Sequence, residues 1–390
     1  MTTINRRRFL ELGGIGATAV TGTAGFAFGA PATAGTWLGA EPEDGPVRLV
    51  GDGVGLDTAQ YTRLLARLTE QKAIAPDTYS RGGVIEELEE HCARVLGKER
   101  AIFMPTGTLA NHLAIRALSA GPSRVLVQEQ SHLYNDEGDC AQTLSNLTLM
   151  PLAPGRATFT ANDVQRVIDE TKTGRVMSRV SVISLETPVR RRQGERFDSA
   201  EMQKIVTLAR SQGIRLHLDG ARLFLQAAYT GENVAETARP FDTVYVSLYK
   251  YFNAASGAIL AGPRDLLEDM HHPRRMFGGG LSRVWPFAAV ALHYLQGFGD
   301  RYSQAVRTSE AFIGRLQKHD RFVIERMPLG TNLFRLRVRT SNPAAFQQRL
   351  AKERVMLSEP QGDTFLVGVN ETLNRVTANE LAEKFISALA

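Results

Sequence analysis

Cysteine is nearly missing from this chain. Cys92 and Cys140 are the only two in 390 residues, which excludes a disulfide framework and a Cys-based metal spacing. A single bridge between them stays open beside the plainer reading of two buried thiols. Long unbroken apolar runs are missing as well. The one apolar stretch near the N-terminus is interrupted by glycines and too short for a stable membrane span. No repeats or low-complexity tracts occur, so solenoid and fibrous classes fall away. Charge of one sign is also scarce: 46 Lys and Arg against 41 Asp and Glu leave +5, too small an excess for a nucleic-acid partner. What is present is 43% hydrophobic composition, enough for a large core in two domains or in one domain with an appendage.

The N-terminal segment reads as an address rather than as structure. Asn5-Arg-Arg-Arg-Phe-Leu-Glu11 matches the twin-arginine pattern, and a Gly-, Ala- and Thr-rich apolar stretch follows to about Phe28. Ala30-Pro-Ala32 and Ala32-Thr-Ala34 are small-residue cleavage candidates. This predicts export of a folded protein to the periplasm or beyond, with a cytoplasmic location if the signal is unused. Removing residues 1–34 lowers the net charge from +5 to +3.

From residue 100 onward, strand and helix patterns alternate. Strands are expected over 100–104, 124–128, 147–150, 179–185, 214–218, 243–248 and 257–261, and helices over 108–119, 136–144, 160–171 and 198–212. Such alternation predicts an α/β architecture with a mostly parallel sheet, whose ligands bind at the carboxyl ends of strands. Upstream, Val84 to Leu96 has an amphipathic helical pattern closed by Gly97, and Val47-Arg-Leu-Val suggests a short strand. Downstream, helices are expected from Trp285 and Tyr302. A strand from Thr331, a helix over 343–353, a strand over 363–369 and a closing helix from Thr377 with a capping box complete a small α/β unit.

Three features fall at strand ends. Lys250 closes the strand-like run of residues 243–248, and Asp219 ends Ile214-Arg-Leu-His-Leu-Asp219. Thr106-Gly107-Thr108 sits where a strand turns into a helix and offers free amides to a phosphate. Alone, Lys250 reads as a snorkelling surface lysine. In this order, a phosphate cradle, a carboxylate for a pyridinium nitrogen and an imine-forming amine are what pyridoxal 5'-phosphate (PLP) requires.

Pro105-Thr-Gly-Thr-Leu-Ala-Asn111, Ser131-His132, Leu218-Asp-Gly-Ala-Arg-Leu223, Ser247-Leu-Tyr-Lys250 and Met276-Phe-Gly-Gly-Gly280 together resemble the threonine aldolase / aromatic amino acid β-eliminating lyase family of fold-type-I PLP enzymes. The resemblance runs from about residue 47 to the C-terminus. It implies a fold-type-I, PLP-dependent transferase-like α/β chain: a signal segment over 1–34, an arm and loop over 35–80, a PLP-binding large domain over 81–297 and a small C-terminal domain over 298–390. The implied reaction is Cα–Cβ cleavage of β-hydroxy-α-amino acids to glycine and an aldehyde. β-Elimination or another amino-acid reaction on the same cofactor is the alternative, and a non-catalytic PLP-fold binding protein is a third reading.

The implied catalytic residues are Lys250, His132 and Asp219, with His132 stacked on the ring and placed for proton transfer. Gly107, Thr108, Arg222 and Arg275 join them around the cofactor, and Arg222, Tyr79 and Arg81 are implied for the substrate. His271 and His272 are adjacent, without helical metal spacing, so no metal is assigned. Arg190 to Arg192 read as a solvated face, one of them a candidate to reach the substrate. The expected partner is a small amino acid, in a homodimer or homotetramer with shared sites. Two departures from the family stand out: Phe365 occupies the position of a carboxylate-binding arginine, which would make the pocket more apolar, and Gly51-Asp-Gly-Val-Gly-Leu-Asp57 puts an aspartate near that of a carboxylate-binding serine.

Overall fold

The computed structural model describes residues 44–119, 121, 123–176 and 178–390. The twin-arginine motif and its cleavage candidates lie outside the described residues.

Among the described residues, twelve strands form three sheets. β1 is Val47–Arg48, β2 Arg100–Met104, β3 Arg124–Gln128, β4 Thr148–Leu152, β5 Val180–Glu186 and β6 Arg215–Asp219. β7 is Thr243–Ser247, β8 Ala258–Gly262, β9 Phe322–Arg326, β10 Leu333–Val338, β11 Val355–Met356 and β12 Thr364–Gly368. The large sheet has the order β2-β8-β7-β6-β5-β3-β4. Every residue of β5, β7 and β8 is buried, as expected of central strands covered by helices on both faces. β8 alone runs antiparallel to its two neighbours, β2 and β7, so β2 and β7 point the same way. The carboxyl ends of β2, β3, β5, β6 and β7 therefore share one edge of the sheet, and the site is built there.

The alternation expected from the sequence is present, with local corrections. The helix expected over 136–144 is two short ones, His132–Asn135 and Cys140–Ser145. Gly138 (φ 61°) and Asp139 (φ 52°) turn left-handed between them, which a helix cannot continue through. The basic 270–280 segment contains the helix His271–Met276 with Arg274 buried in it. The helices Leu223–Thr230 and Val234–Ala238 and strand β9 carried no sequence expectation. β1 pairs in parallel with β11, Val47 opposite Val355, across about 300 residues of sequence.

β12-β10-β9 form a three-stranded antiparallel sheet backed by the helix Pro343–Lys352. Phe365 is fully buried there, with its ring 5.8 Å from that of Phe346 on the helix. The closing helix Ala378–Ser387 has the expected capping box between Thr377 and Glu380. Cys92 and Cys140 are both free thiols, Cys92 buried and Cys140 partly so.

Candidate active site

Lys250 lies three residues beyond β7, on a turn packed against the segment 51–55. Val54 donates its amide to Asn253 Oδ1 at 2.8 Å, and a Cβ on Gly53 would collide with that oxygen and with the Lys250 carbonyl. A cavity of about 600 Å3 opens beside the lysine, lined by Arg48, Asp52, Tyr61, Tyr249 and Asn253 among others. Burial, reinforced by the nearby Arg222 cation, lowers the Lys250 amine to about 8. A partly neutral amine is what attack on a carbonyl needs.

Asp219 ends β6, the strand beside β7, and pairs in register with Tyr245. It is 3% exposed. Its Oδ1 accepts from the Ala221 amide at 3.1 Å and its Oδ2 from Asn111 Nδ2 at 2.8 Å. Asn111 also donates to Glu137 Oε1 at 2.8 Å, and that oxygen lies 3.2 Å from His132 Nδ1. The hydrogen bond with Glu137 raises the pKa of His132, while burial raises that of Glu137. On the other side, Glu186 Oε2 accepts the His132 amide at 2.6 Å, and burial together with Asp219 pushes Glu186 up to about 7. Three buried carboxylates thus surround His132, an arrangement suited to a cationic ring.

The helix Gly107–Ser119 starts directly after β2. Leu109 donates to Thr106 Oγ1 at 3.1 Å and Ala110 to the Thr106 carbonyl at 3.2 Å, which leaves the Gly107 and Thr108 amides at the helix start for an anion. A Cβ at Gly107 would collide with the Tyr245 hydroxyl, so only glycine lets the loop sit this close to β7. Ser247 Oγ is buried beside the Tyr245 side chain. An amide cradle, a buried hydroxyl, a strand-end carboxylate and a depressed lysine fit the phosphate, ring nitrogen and carbonyl carbon of PLP.

The family profile described as Beta-eliminating lyase matches residues 57–338. The chain belongs to the beta-eliminating lyase family. A low-specificity L-threonine aldolase of Candida albicans is 31% identical over 209 residues, 53% of this chain and 55% of the relative. An alanine racemase of Cochliobolus carbonum is 29% identical over 233 residues, 58% of each chain. Among solved structures, a putative L-allo-threonine aldolase from Listeria monocytogenes EGD-E superposes with a TM-score of 0.72 at 27% identity, covering 88% of this chain and 96% of that one. The chain spans 55% to 64% of the length of three curated relatives it matches. The architecture is that of the fold-type-I PLP enzymes.

Within this family member, the structure brings Lys250, Asp219, His132, Gly107, Thr108 and Arg222 to one sheet edge. Tyr79, Arg81 and Arg275 are exposed. Tyr79 is 49% exposed with φ 52°, and the Arg275 guanidinium lies 5.0 Å from its ring centre. Arg274 is the buried neighbour there, donating to the carbonyls of Phe103 (2.7 Å), Tyr79 and Ser80 (3.2 Å each). Arg191 pairs with Asp136 at 2.6 Å and Arg192 with Glu195 at 3.1 Å. Among the described residues, no group of three His, Cys, Asp or Glu could hold a metal.

One expectation is overturned. Phe365 packs into the core of the small sheet and is absent from the lining of the Lys250 cavity, so it does not make that pocket apolar. Strand alternation turns its side chain toward Phe346. The sequence reading also missed Glu137. Its spacing of five from His132 is neither a helical nor a strand repeat, and the end of the short helix His132–Asn135 at Asp136 (φ −122°, ψ 3°) is what turns the chain between them.

Proposed function

We propose that this protein binds PLP on Lys250 and cleaves the Cα–Cβ bond of β-hydroxy-α-amino acids to glycine and an aldehyde. One observation carries the reading: Asp219 ends β6, Lys250 follows the adjacent parallel strand β7 by three residues, and the lysine amine is depressed to about 8. PLP supplies an electron sink for the bond pair left on Cα. The chain's own residues do the rest. Asp219, held by Asn111 and Ala221, would balance the charge of the ring nitrogen, and the Gly107 and Thr108 amides with Ser247 would hold the phosphate. His132, backed by Glu137, takes the β-hydroxyl proton.

The names of the Candida albicans and Listeria monocytogenes relatives support this reaction. The Cochliobolus carbonum relative, an alanine racemase, favours a second reading in which the same residues move a proton at Cα. We extend the proposal to a homodimer or homotetramer in which Tyr79 and Arg275 serve a neighbouring site, and to export by the twin-arginine route. Purified holoenzyme incubated with L-threonine and with phenylserine should release glycine together with acetaldehyde or benzaldehyde. Loss of optical activity in L-alanine without any aldehyde would replace the first reading by the second.

A further inference from the structure

Arg222 is the guanidinium beside the reactive amine, and it already holds a carboxylate. Its Nε lies 3.1 and 2.9 Å from the two oxygens of Asp52, and its Nη2 lies 2.8 Å from Oδ2. Both side chains are about 15% exposed, so this is a largely desolvated, two-pronged pair of the kind that sets geometry as well as energy. Asp52 is not a loose surface residue that happened to swing in. The backbone on its C-terminal side is pinned, Gly53 against the Lys250 carbonyl and Val54 on Asn253. Asp52 and Lys250 line the same cavity.

From this geometry we infer that Asp52 is a specificity-determining residue: an internal carboxylate that occupies Arg222 and makes the site discriminate against a free carboxylate on the substrate's α-carbon. The inference rests on the proposed binding of an amino substrate at Lys250. An incoming α-carboxylate must displace Asp52 from Arg222 and leave it beside a second anion, whereas a ligand with a neutral group there meets an already balanced pair. Without Asp52, Arg222 is a buried cation that loses its hydrogen-bonded counter-charge and keeps only the more distant Glu186, so it gains most from an external carboxylate.

The test compares glycine with glycinamide on PLP-loaded wild type, Asp52→Asn and Asp52→Ser, following the absorbance change of the bound cofactor to obtain Kd. Asp52→Asn keeps the shape of the side chain, and Asp52→Ser guards against a misplaced amide. The expected result is that both variants bind glycine roughly tenfold to a hundredfold more tightly, the range of a charge-assisted hydrogen bond, with glycinamide changed less than about threefold. KM for a β-hydroxy-α-amino acid should fall with that Kd while kcat moves little. Unchanged glycine affinity overturns the inference, as does an equal change for both ligands. If glycine tightens as expected but no aldehyde forms in any variant, the Asp52 inference stands and the proposed reaction falls.

Discussion

The side-chain amide of Asn111 donates to Oδ2 of Asp219 across 2.8 Å. Asn111 Oδ1 in turn accepts from His217 Nε2 at 3.0 Å, and His217 Nδ1 meets Thr243 Oγ1 at 2.8 Å. Burial lowers His217 to about 4, so its ring is neutral near pH 7: Nε2 carries the proton and Nδ1 accepts from the threonine hydroxyl. This chain of fixed roles aims one nitrogen of Asn111 at both Asp219 and Glu137, and so couples the ring-nitrogen ligand to the residue behind His132.

Asp219→Asn should keep bound PLP and lose most activity. The phosphate cradle and Lys250 are untouched, but an amide cannot balance a pyridinium charge. Turnover within about tenfold of wild type, alongside normal cofactor content, would place something other than Asp219 on the ring nitrogen.

Much of this site was legible because its parts sit at strand ends. Lys250, Asp219 and Gly107 each follow a run of buried residues, and sheet topology brings such ends together whatever lies between them. Residues joined by tertiary packing alone were not legible. Asp52 reaches Arg222 across 170 residues, and Asn111 reaches Asp219 across 108, with no periodicity to announce either pair. Phe365 shows the opposite failure: its position along the chain was read as a pocket position, while strand alternation decides which face a side chain takes.

Glu137→Gln should move the pH profile. The hydrogen bond from His132 to Glu137 raises the pKa of His132, so removing it lowers that pKa. If neutral His132 takes the β-hydroxyl proton, activity rises as pH climbs through its pKa. The acid limb of kcat/KM should therefore shift to lower pH in the variant, at reduced kcat because the ring is less firmly held. A limb that stays in place would remove His132 from proton transfer.

Phe365→Ala should destabilise the protein by about 3–5 kcal/mol, as expected for a buried phenylalanine, without changing the glycine Kd. Phe365→Arg should lose more stability and gain no carboxylate affinity, since it places a cation in the core beside Phe346. Urea unfolding with a parallel glycine titration separates these outcomes. Tighter glycine binding in Phe365→Arg would return this position to the pocket.

Lys250 governs how fast the apoenzyme takes up its cofactor. Only the neutral amine attacks the PLP carbonyl, and burial together with Arg222 lowers this amine to about 8. At pH 7 about one lysine in ten is then neutral, against about one in three thousand for an unperturbed side chain. The uptake rate should rise about tenfold per pH step below 8 and level off above it, followed by stopped-flow absorbance. Borohydride reduction should then fix the cofactor on Lys250. Arg222→Gln, which removes a neighbouring cation, should move the bend to higher pH. A rate that keeps climbing to pH 10 in wild type would show an ordinary lysine, and would leave the chain without the activated amine on which the proposed chemistry rests.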